Sequence, residues 1–205
     1  MNALFIYCAG GFGKEVIDIA RRINHKKKSW KVIIFIDDFC LTETHYGARV
    51  FRFDKACDWI SYNSSEVLIA NGEPAHRSEI RTKLDNHGIK LANCLIDDSA
   101  IISNSANINN GVLISPYCSV SSNAILDENC SINTMSIVGH DVNIGENVVI
   151  SSMVNLGGNV RIGRNSYVGM GALIKEKVNI GNNVIALGNP ARAIRKNEDG
   201  KVFGL

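Results

Sequence analysis

Residues 132–150 read Ile132-Asn133-Thr134-Met135-Ser136-Ile137-Val138-Gly139-His140-Asp141-Val142-Asn143-Ile144-Gly145-Glu146-Asn147-Val148-Val149-Ile150. Ile132, Val138, Ile144 and Ile150 stand six apart. The spacing extends in both directions, from Ile96 through Ile102, Ile108, Ile114, Val120 and Leu126, and on through Leu156, Ile162, Val168 and Ile174 to Ile180. All fifteen positions are Ile, Leu or Val. Two residues before each runs a second column of small or β-branched residues, among them Cys94, Cys118, Cys130, Ser136, Val142 and Ala172. Neither a helical period of 3.6 nor a simple strand period of 2 gives one aliphatic column at spacing six. A hexapeptide repeat does, with a short strand and a turn per repeat stacked into a parallel β-helix. Columns two residues apart point to the same side of a strand, and that side is the interior. Gly145, Gly157, Gly163, Gly169 and Gly181, each directly after its aliphatic, and Asn123, Asn129, Asn147, Asn159, Asn165 and Asn183, three residues after theirs, supply turn chemistry tolerant of positive φ.

Composition sets outer bounds. At 205 residues the chain holds one or two domains, and 45% apolar residues suffice for a core. A net charge of +2 argues against nucleic acid or an anionic membrane as main partner. No stretch approaches the ~20 apolar residues of a membrane span, and Met1 is not followed by a signal peptide. The six cysteines are scattered, with no metal-ligand spacing. Buried thiols in the interior column suit a reducing cytoplasm.

Ahead of the repeats the pattern alternates between strand and helix. Ala3 to Cys8 reads as a buried strand, Ala9-Gly10-Gly11-Phe12-Gly13 as a tight turn, and Lys14 to Ile23 as an amphipathic helix. This is how a nucleotide-binding βαβ unit opens, although the G-x-G-x-x-G spacing is not met. Lys31 to Asp38 is a second strand ending in Asp37 and Asp38, carboxylates placed either for a nucleotide's ribose or base or as a solvated strand end. Ser64 to Ala70 is a third strand, followed by the Asn71-Gly72 loop and a helix from Ala75 to His87. No Pro- or Ser-rich linker separates this unit from the repeats, so the two should pack closely.

The repeats, ending in Leu187-Gly188-Asn189-Pro190-Ala191, resemble the hexapeptide-repeat acyltransferases. A small Rossmann-like domain ahead of them resembles the sugar O- and N-acyltransferases of that superfamily. The resemblance rests on residues 7–15, Phe35-Ile36-Asp37-Asp38, Ser136 to Gly145 and the Gly-x-Pro-Ala ending. It implies a left-handed parallel β-helix of about five coils at about 18 residues per coil. The expected domains are 1–92, Rossmann-like and nucleotide-sugar-binding; 93–186, the β-helix; and 187–205, a C-terminal tail. Two positions depart from the family's pattern: Cys8 stands where Gly is usual, and Phe12 where sugar-nucleotide members often have His, near the sugar.

Of five histidines only His140 lies within the repeat, at a corner rather than in the interior. One coil on, Gly158 should stack against it, roughly 4.8 Å away. Acyl transfer needs a base for the acceptor's proton and an N–H donor for the tetrahedral oxyanion. Imidazole, with an unperturbed pKa of about 6.5, suits the first role. The resemblance makes His140 the base, Asp141 its orienting acid and Gly158 the site of the acetyl carbonyl. It sets acetyl-CoA along the prism by Met170, Gly171, Ala172, Gly188 and Pro190, with Arg192, Arg195 and Lys196 toward its phosphates.

The expected protein is a cytoplasmic, metal-free homotrimer with active sites at subunit interfaces. It transfers acetyl to the 4-amino group of a UDP- or dTDP-linked 4-amino-4,6-dideoxy sugar held by Gly10, Gly11, Phe12, Gly13, Asp37, Asp38, Asn71 and Gly72. An O-acetyltransferase of sialic acid or another sugar, and a non-catalytic β-helix scaffold, are the alternatives.

Overall fold

The computed structural model describes residues 2–62, 65–197 and 202. The N-terminal unit runs β1 (Ala3–Tyr7), α1 (Gly11–Lys27), β2 (Val32–Ile36), β3 (Thr44–His45), β4 (Ala48–Phe51), α2 (Phe53–Tyr62), β5 (Ser65–Ile69) and α3 (Pro74–Asn86). The three expected strands and both expected helices are present, with Ser64 outside the described residues. The span 39–62, unassigned from sequence, supplies β3, β4 and α2.

The sheet order is β3-β4-β2-β1-β5, with β4, β2, β1 and β5 parallel. β1 is central because its five residues are all buried, as an apolar strand covered on both faces must be. Val16, Ile17 and Ala20 of α1 cover one face of the sheet. Ala56 of α2 and Leu84 of α3 cover the other. The strand order reverses between β1 and β5, and a crevice at the carboxyl ends of such a pair is where α/β sheets bind ligands.

Fifteen two-residue strands follow every six residues, from β6 (Leu95–Ile96) to β20 (Asn179–Ile180). Each ends on one of the fifteen column aliphatics. Strands 18 residues apart pair in parallel, as Ile137↔Asn155 and Val138↔Leu156 do. Three sheets result, the faces of a left-handed triangular prism of five coils. Val120, Leu126, Ile132, Val138, Ile144 and Ile150 fill its axis together with the small column, Cys118 and Cys130 included. Residues 184–196, which straddle the expected start of the tail, form an antiparallel hairpin, β21 (Val184–Gly188) and β22 (Ala191–Lys196), on the end of one face. Of the remaining tail only Asn197 and Val202 are among the described residues.

All six corner asparagines have φ between 53° and 61°, as expected for the left-handed region. The glycines after the aliphatics have a different cause. Gly145, Gly157 and Gly163 are absent from the positive-φ positions; instead a Cβ on Gly145 would lie 2.8 Å from the Arg164 nitrogen, and one on Gly157 2.7 Å from that of Glu176. Close stacking of coil on coil, rather than backbone handedness, selects glycine at 145, 157 and 163, whereas a Cβ on Gly181 would meet only a Val184 methyl at 3.9 Å.

The three prism faces differ in cover. On the first, Leu95 and Leu113 pack with Ala20 and Ile23 of α1, while Val149, Tyr167 and Ile185 pack with Val202. The second carries Ile101, Ser119, Ile137, Asn155 and Leu173 outward, with Ile101 73% and Ile137 47% exposed. The third carries Asn107, Ile125, Asn143, Arg161 and Asn179. The N-terminal unit is tied down by Arg22 to Asp97, Lys26 to Asp98, and the Gly111 N–H donating to the Ala92 carbonyl. Among the described residues no helix is long and apolar enough to cross a membrane.

Candidate active site

His140 sits on the edge between the second and third faces, because it follows the strand Ile137–Val138 and precedes Asn143–Ile144. Its imidazole is exposed, and its Nδ1 meets the Asp141 Oδ2 at 2.8 Å. Adjacent residues share a face here because Asp141 takes φ 57°, turning its carboxylate back along the corner. The other Asp141 oxygen accepts from Asn123 Nδ2, one coil below, at 3.1 Å. The contact with His140, then the Asn123 N–H, hold the Asp141 carboxyl below its ordinary range. An anchored carboxylate of this kind fixes the ring and leaves Nε2 over Gly158, away from the carboxylate.

Gly158 lies one coil above. A Cβ there would stand 2.5 Å from the His140 Cε1, so only glycine lets the ring lie where it does. Gly158 is buried beneath the ring, and no backbone carbonyl among the described residues accepts its N–H. The edge thus brings His140, Asp141 and Gly158 together, an imidazole held by a carboxylate beside a backbone N–H that no carbonyl among the described residues accepts.

Met170 and Gly171 lie on a different edge, between the first and second faces. Gly171 continues the column of Tyr117, Met135 and Met153, all exposed and all at positive φ, and Met170, one residue earlier, is exposed beside it. Gly188 and Pro190 are exposed in the terminal hairpin above them, whereas Ala172 is interior. Within one chain the second face separates this edge from His140. On the same side, Asn133 has a buried Oδ1 without a partner among the described residues. The repeat register did not single it out, since it directly follows the column aliphatic Ile132, in line with Ser115 and Ser151 one coil away on either side.

The second cluster is the switch-point crevice. Gly10 is the N-cap of α1 and Gly11 its first residue; both are exposed with open space above, and no acidic residue stands in that first turn. Gly13 is required to be glycine because a Cβ would run into the Cys8 carbonyl. Phe12 is half-buried against α1's core. The left-handed residue of this turn is Cys8, at φ 82°, not one of the glycines. Its thiol, pushed up by burial, accepts from Asn71 Nδ2 at 3.5 Å across the crevice floor. Asn71 Oδ1 in turn accepts from the Glu73 N–H, closing the Asn71-Gly72 loop.

The two carboxylates are occupied. Asp37 Oδ2 accepts from the Ala9 N–H at 2.8 Å, and Oδ1 from those of Phe39 and Cys40. Asp38 accepts from the Phe53 N–H, capping α2, and from Lys83 Nζ at 3.0 Å. Burial pushes the Asp38 carboxyl up, but the Phe53 N–H and Lys83 outweigh it and hold the group below its ordinary value. Lys83 also donates to the Tyr7 hydroxyl and lies over the Phe53 ring. Neither Lys83 nor Tyr7 was legible as part of this cluster from sequence. Cavities of 860 Å³ beside Arg22 and Tyr117 and of 650 Å³ beside Lys55 and Trp59 lie away from both clusters. Among the described residues no group of metal-ligating side chains forms a site.

Residues 3–84 match the PglD N-terminal domain, and residues 141–176 match the bacterial transferase hexapeptide, six repeats. The fold is that of the acetyltransferase domain of PglB from Neisseria gonorrhoeae, at 26% identity and TM-score 0.84, covering 94% of this chain and 99% of that one. The same domain in complex with acetyl coenzyme A aligns at TM-score 0.76 over 94% and 98% of the two chains, at 26% identity. A point mutant of perosamine N-acetyltransferase from Caulobacter crescentus, in complex with CoA and GDP-perosamine, aligns at 22% identity and TM-score 0.80 over 95% and 97%. No curated protein matches.

Proposed function

On the premise that this chain is a hexapeptide-repeat protein carrying a PglD-type N-terminal domain, we propose that it is an acetyl-CoA-dependent N-acetyltransferase acting on the 4-amino group of a nucleotide-linked 4-amino-4,6-dideoxy sugar. The observation that carries this reading is the His140–Asp141 pair lying over Gly158 on an open edge. The acceptor amine gives a proton to His140 Nε2 as its nitrogen attacks the thioester carbonyl carbon. The oxyanion that forms is held by the Gly158 N–H. The C–S bond then breaks, the thiolate of CoA leaves, and the imidazolium returns its proton to it. Transfer is direct. Burial pushes the Cys94, Cys118 and Cys130 thiols of the prism up, Cys130 to about 12, which leaves them poor nucleophiles.

The nucleotide's phosphates are assigned to the free N–H groups at the start of α1, over the open Gly10 and Gly11, with Phe12, Gly13 and the Asn71-Gly72 loop around them. Asp37 and Asp38 act through the loops they tie. Acetyl-CoA is assigned to the edge of Met170, Gly171, Gly188 and Pro190. That edge and His140 flank opposite sides of the second face, whose outward Ile101 and Ile137 are exposed. A rotated copy that sets one chain's Met170 edge against the next chain's His140 edge brings the parts together, and three such contacts close a ring. The protein is therefore proposed as a cytoplasmic homotrimer with its sites between subunits.

The test is release of free thiol from acetyl-CoA against UDP- and dTDP-4-amino-4,6-dideoxy sugars, GDP-perosamine and sialic acid. Turnover with a nucleotide amino sugar, lost in His140→Ala, is the expected result. Turnover with sialic acid alone, or unchanged turnover in His140→Ala, overturns the reading.

A further inference from the structure

Arg77, on the first turn of α3, is among the largest fully buried side chains of the described residues. A charge is costly to bury and is ordinarily met by an opposite charge. Among the described residues no carboxylate forms an ion pair with Arg77, and the ionisable groups that act on it are two thiols, Cys130 and Cys8. Its five N–H groups are instead all taken by oxygen dipoles. Nη1 donates to the carbonyls of Ile69 at 2.7 Å and Asn71 at 3.0 Å. Nε donates to the Asn129 carbonyl at 2.8 Å, and Nη2 to the same carbonyl and, at 2.8 Å, to Asn129 Oδ1. The contact is reciprocal, since Asn129 Nδ2 donates back to the Arg77 carbonyl.

These acceptors belong to the two halves of the molecule. Ile69 ends β5, and Asn71 opens the loop that floors the crevice through its contacts with Cys8 and Glu73. Asn129 is the corner residue of the coil that carries His140. Its amide is committed by Arg77 to accept on oxygen, so its nitrogen donates onward to Asn147 at 2.8 Å. Asn147 donates to Asn165 at 3.0 Å, and Asn165 to Asn183. One guanidinium thus orients a column of amides along the prism edge that faces α3. A planar fork with fixed donor directions does this; an ammonium on a flexible stem offers three donors and does not.

We propose that Arg77 is a positioning residue, which locks the crevice loop of the N-terminal domain in register with the prism coil bearing His140. Its catalytic consequence rests on the proposed function, because a nucleotide held at one element must present its sugar to a base on the other. Its structural consequence does not.

The experiment compares wild type with Arg77→Lys and Asn129→Gly. The second keeps the left-handed corner and the carbonyl but removes the side-chain amide, and so remains informative if the first fails to fold. Hydrogen exchange by mass spectrometry over 69–73 and 127–131 reads the lock directly. Exchange faster by about tenfold or more in both segments at once is expected, with exchange in the distant coils unchanged. In the thiol-release assay, the KM for the amino sugar is expected to rise about tenfold while that for acetyl-CoA stays within about twofold. Wild-type protein that turns over no amino sugar sinks the proposed function, and the exchange data alone then decide the lock. Exchange at wild-type rates in both segments, or a KM rise shared equally by both substrates, overturns the inference.

Discussion

The imidazole of His140 lies across Gly158, one coil above it, so closely that a methyl group on Gly158 and the ring exclude each other. Because the histidine side chain is exposed, an added methyl would displace it into solvent rather than disrupt the prism. Gly158→Ala is thus expected to fold normally and still bind CoA. Its kcat should fall on the order of 10²-fold, since a base moved by about 1 Å loses near-attack geometry. His140→Ala should lose about 10²–10⁴-fold. A Gly158→Ala enzyme with wild-type kcat would show that the ring does not act from this position.

Asp141 and Asn123 separate orientation from charge. Asp141 loses its proton more readily than an ordinary aspartate, chiefly through His140 and then through Asn123. A carboxyl depressed in the native state stays ionised above the ordinary value and is neutralised only as pH falls through its lower, folded value. Asp141 therefore contributes no acid limb to turnover near neutrality. Asp141→Asn should cost about tenfold or more in kcat at pH 7 through loss of ring orientation. Asn123→Ala lets the carboxyl rise toward its ordinary value of about 3.9, still well below neutral, and should cost less than about threefold. The pair of pH–kcat profiles tests this. Equal damage from both substitutions at pH 7 would contradict it.

Cys8 occupies a left-handed position, φ 82°, that costs an L-residue roughly 1–2 kcal/mol. Glycine removes that cost but adds unfolded-chain entropy of about 0.5–1 kcal/mol and forfeits the Asn71 contact. Cys8→Gly should leave Tm within about 3 °C of wild type. Cys8→Val, β-branched at positive φ, should lower Tm by more than about 5 °C. Equal melting of the two variants would show that the turn does not depend on this residue's backbone.

The prism was legible almost residue by residue because its signal is a strict register: each column aliphatic fixes which way its neighbours point. His140 and its stacking on Gly158 follow from that register alone. The crevice was legible only in outline. Asp37 and Asp38 stand at the strand end as expected, but their occupation by Ala9, Phe39, Cys40, Phe53 and Lys83 depends on contacts up to 45 residues apart. β3, β4 and α2 escaped because their stretch is short and mixed, with no sustained period. Arg77 escaped because a charged residue within a helical pattern reads as solvated. What buries it is the prism corner some fifty residues later.

Asp97 joins the N-terminal domain to the first coil and gives a pH-linked stability. Burial pushes its carboxyl up, yet the Ser99 hydroxyl, Arg22 and the Ser99 N–H together hold it below the ordinary value. A depressed native value means stability that is present above about pH 4 and lost as pH falls through the folded value. Arg22 is half-exposed, so its share is discounted. Asp97→Asn should cost about 1–2 kcal/mol at pH 7, or roughly 2–8 °C in Tm. The two melting curves should converge as pH drops below the carboxylate range. A gap that persists undiminished at low pH would place the effect in packing rather than charge.

The second prism face tests the assembly. Ile101 lies at its base, two coils from His140 and 73% exposed, where a lysine would cost a lone chain almost nothing. Around a three-fold axis, however, three copies would bring like charges onto an apolar contact. Ile101→Lys should therefore convert the species seen by light scattering from trimer to monomer. It should also abolish turnover, because the Met170 edge no longer meets a neighbour's His140. Ile125→Lys, on the third face, is the matched control and should change neither mass nor activity. An Ile101→Lys protein that stays trimeric and active would put the contact on another face. A wild-type monomer with full activity would remove the need for a neighbour altogether.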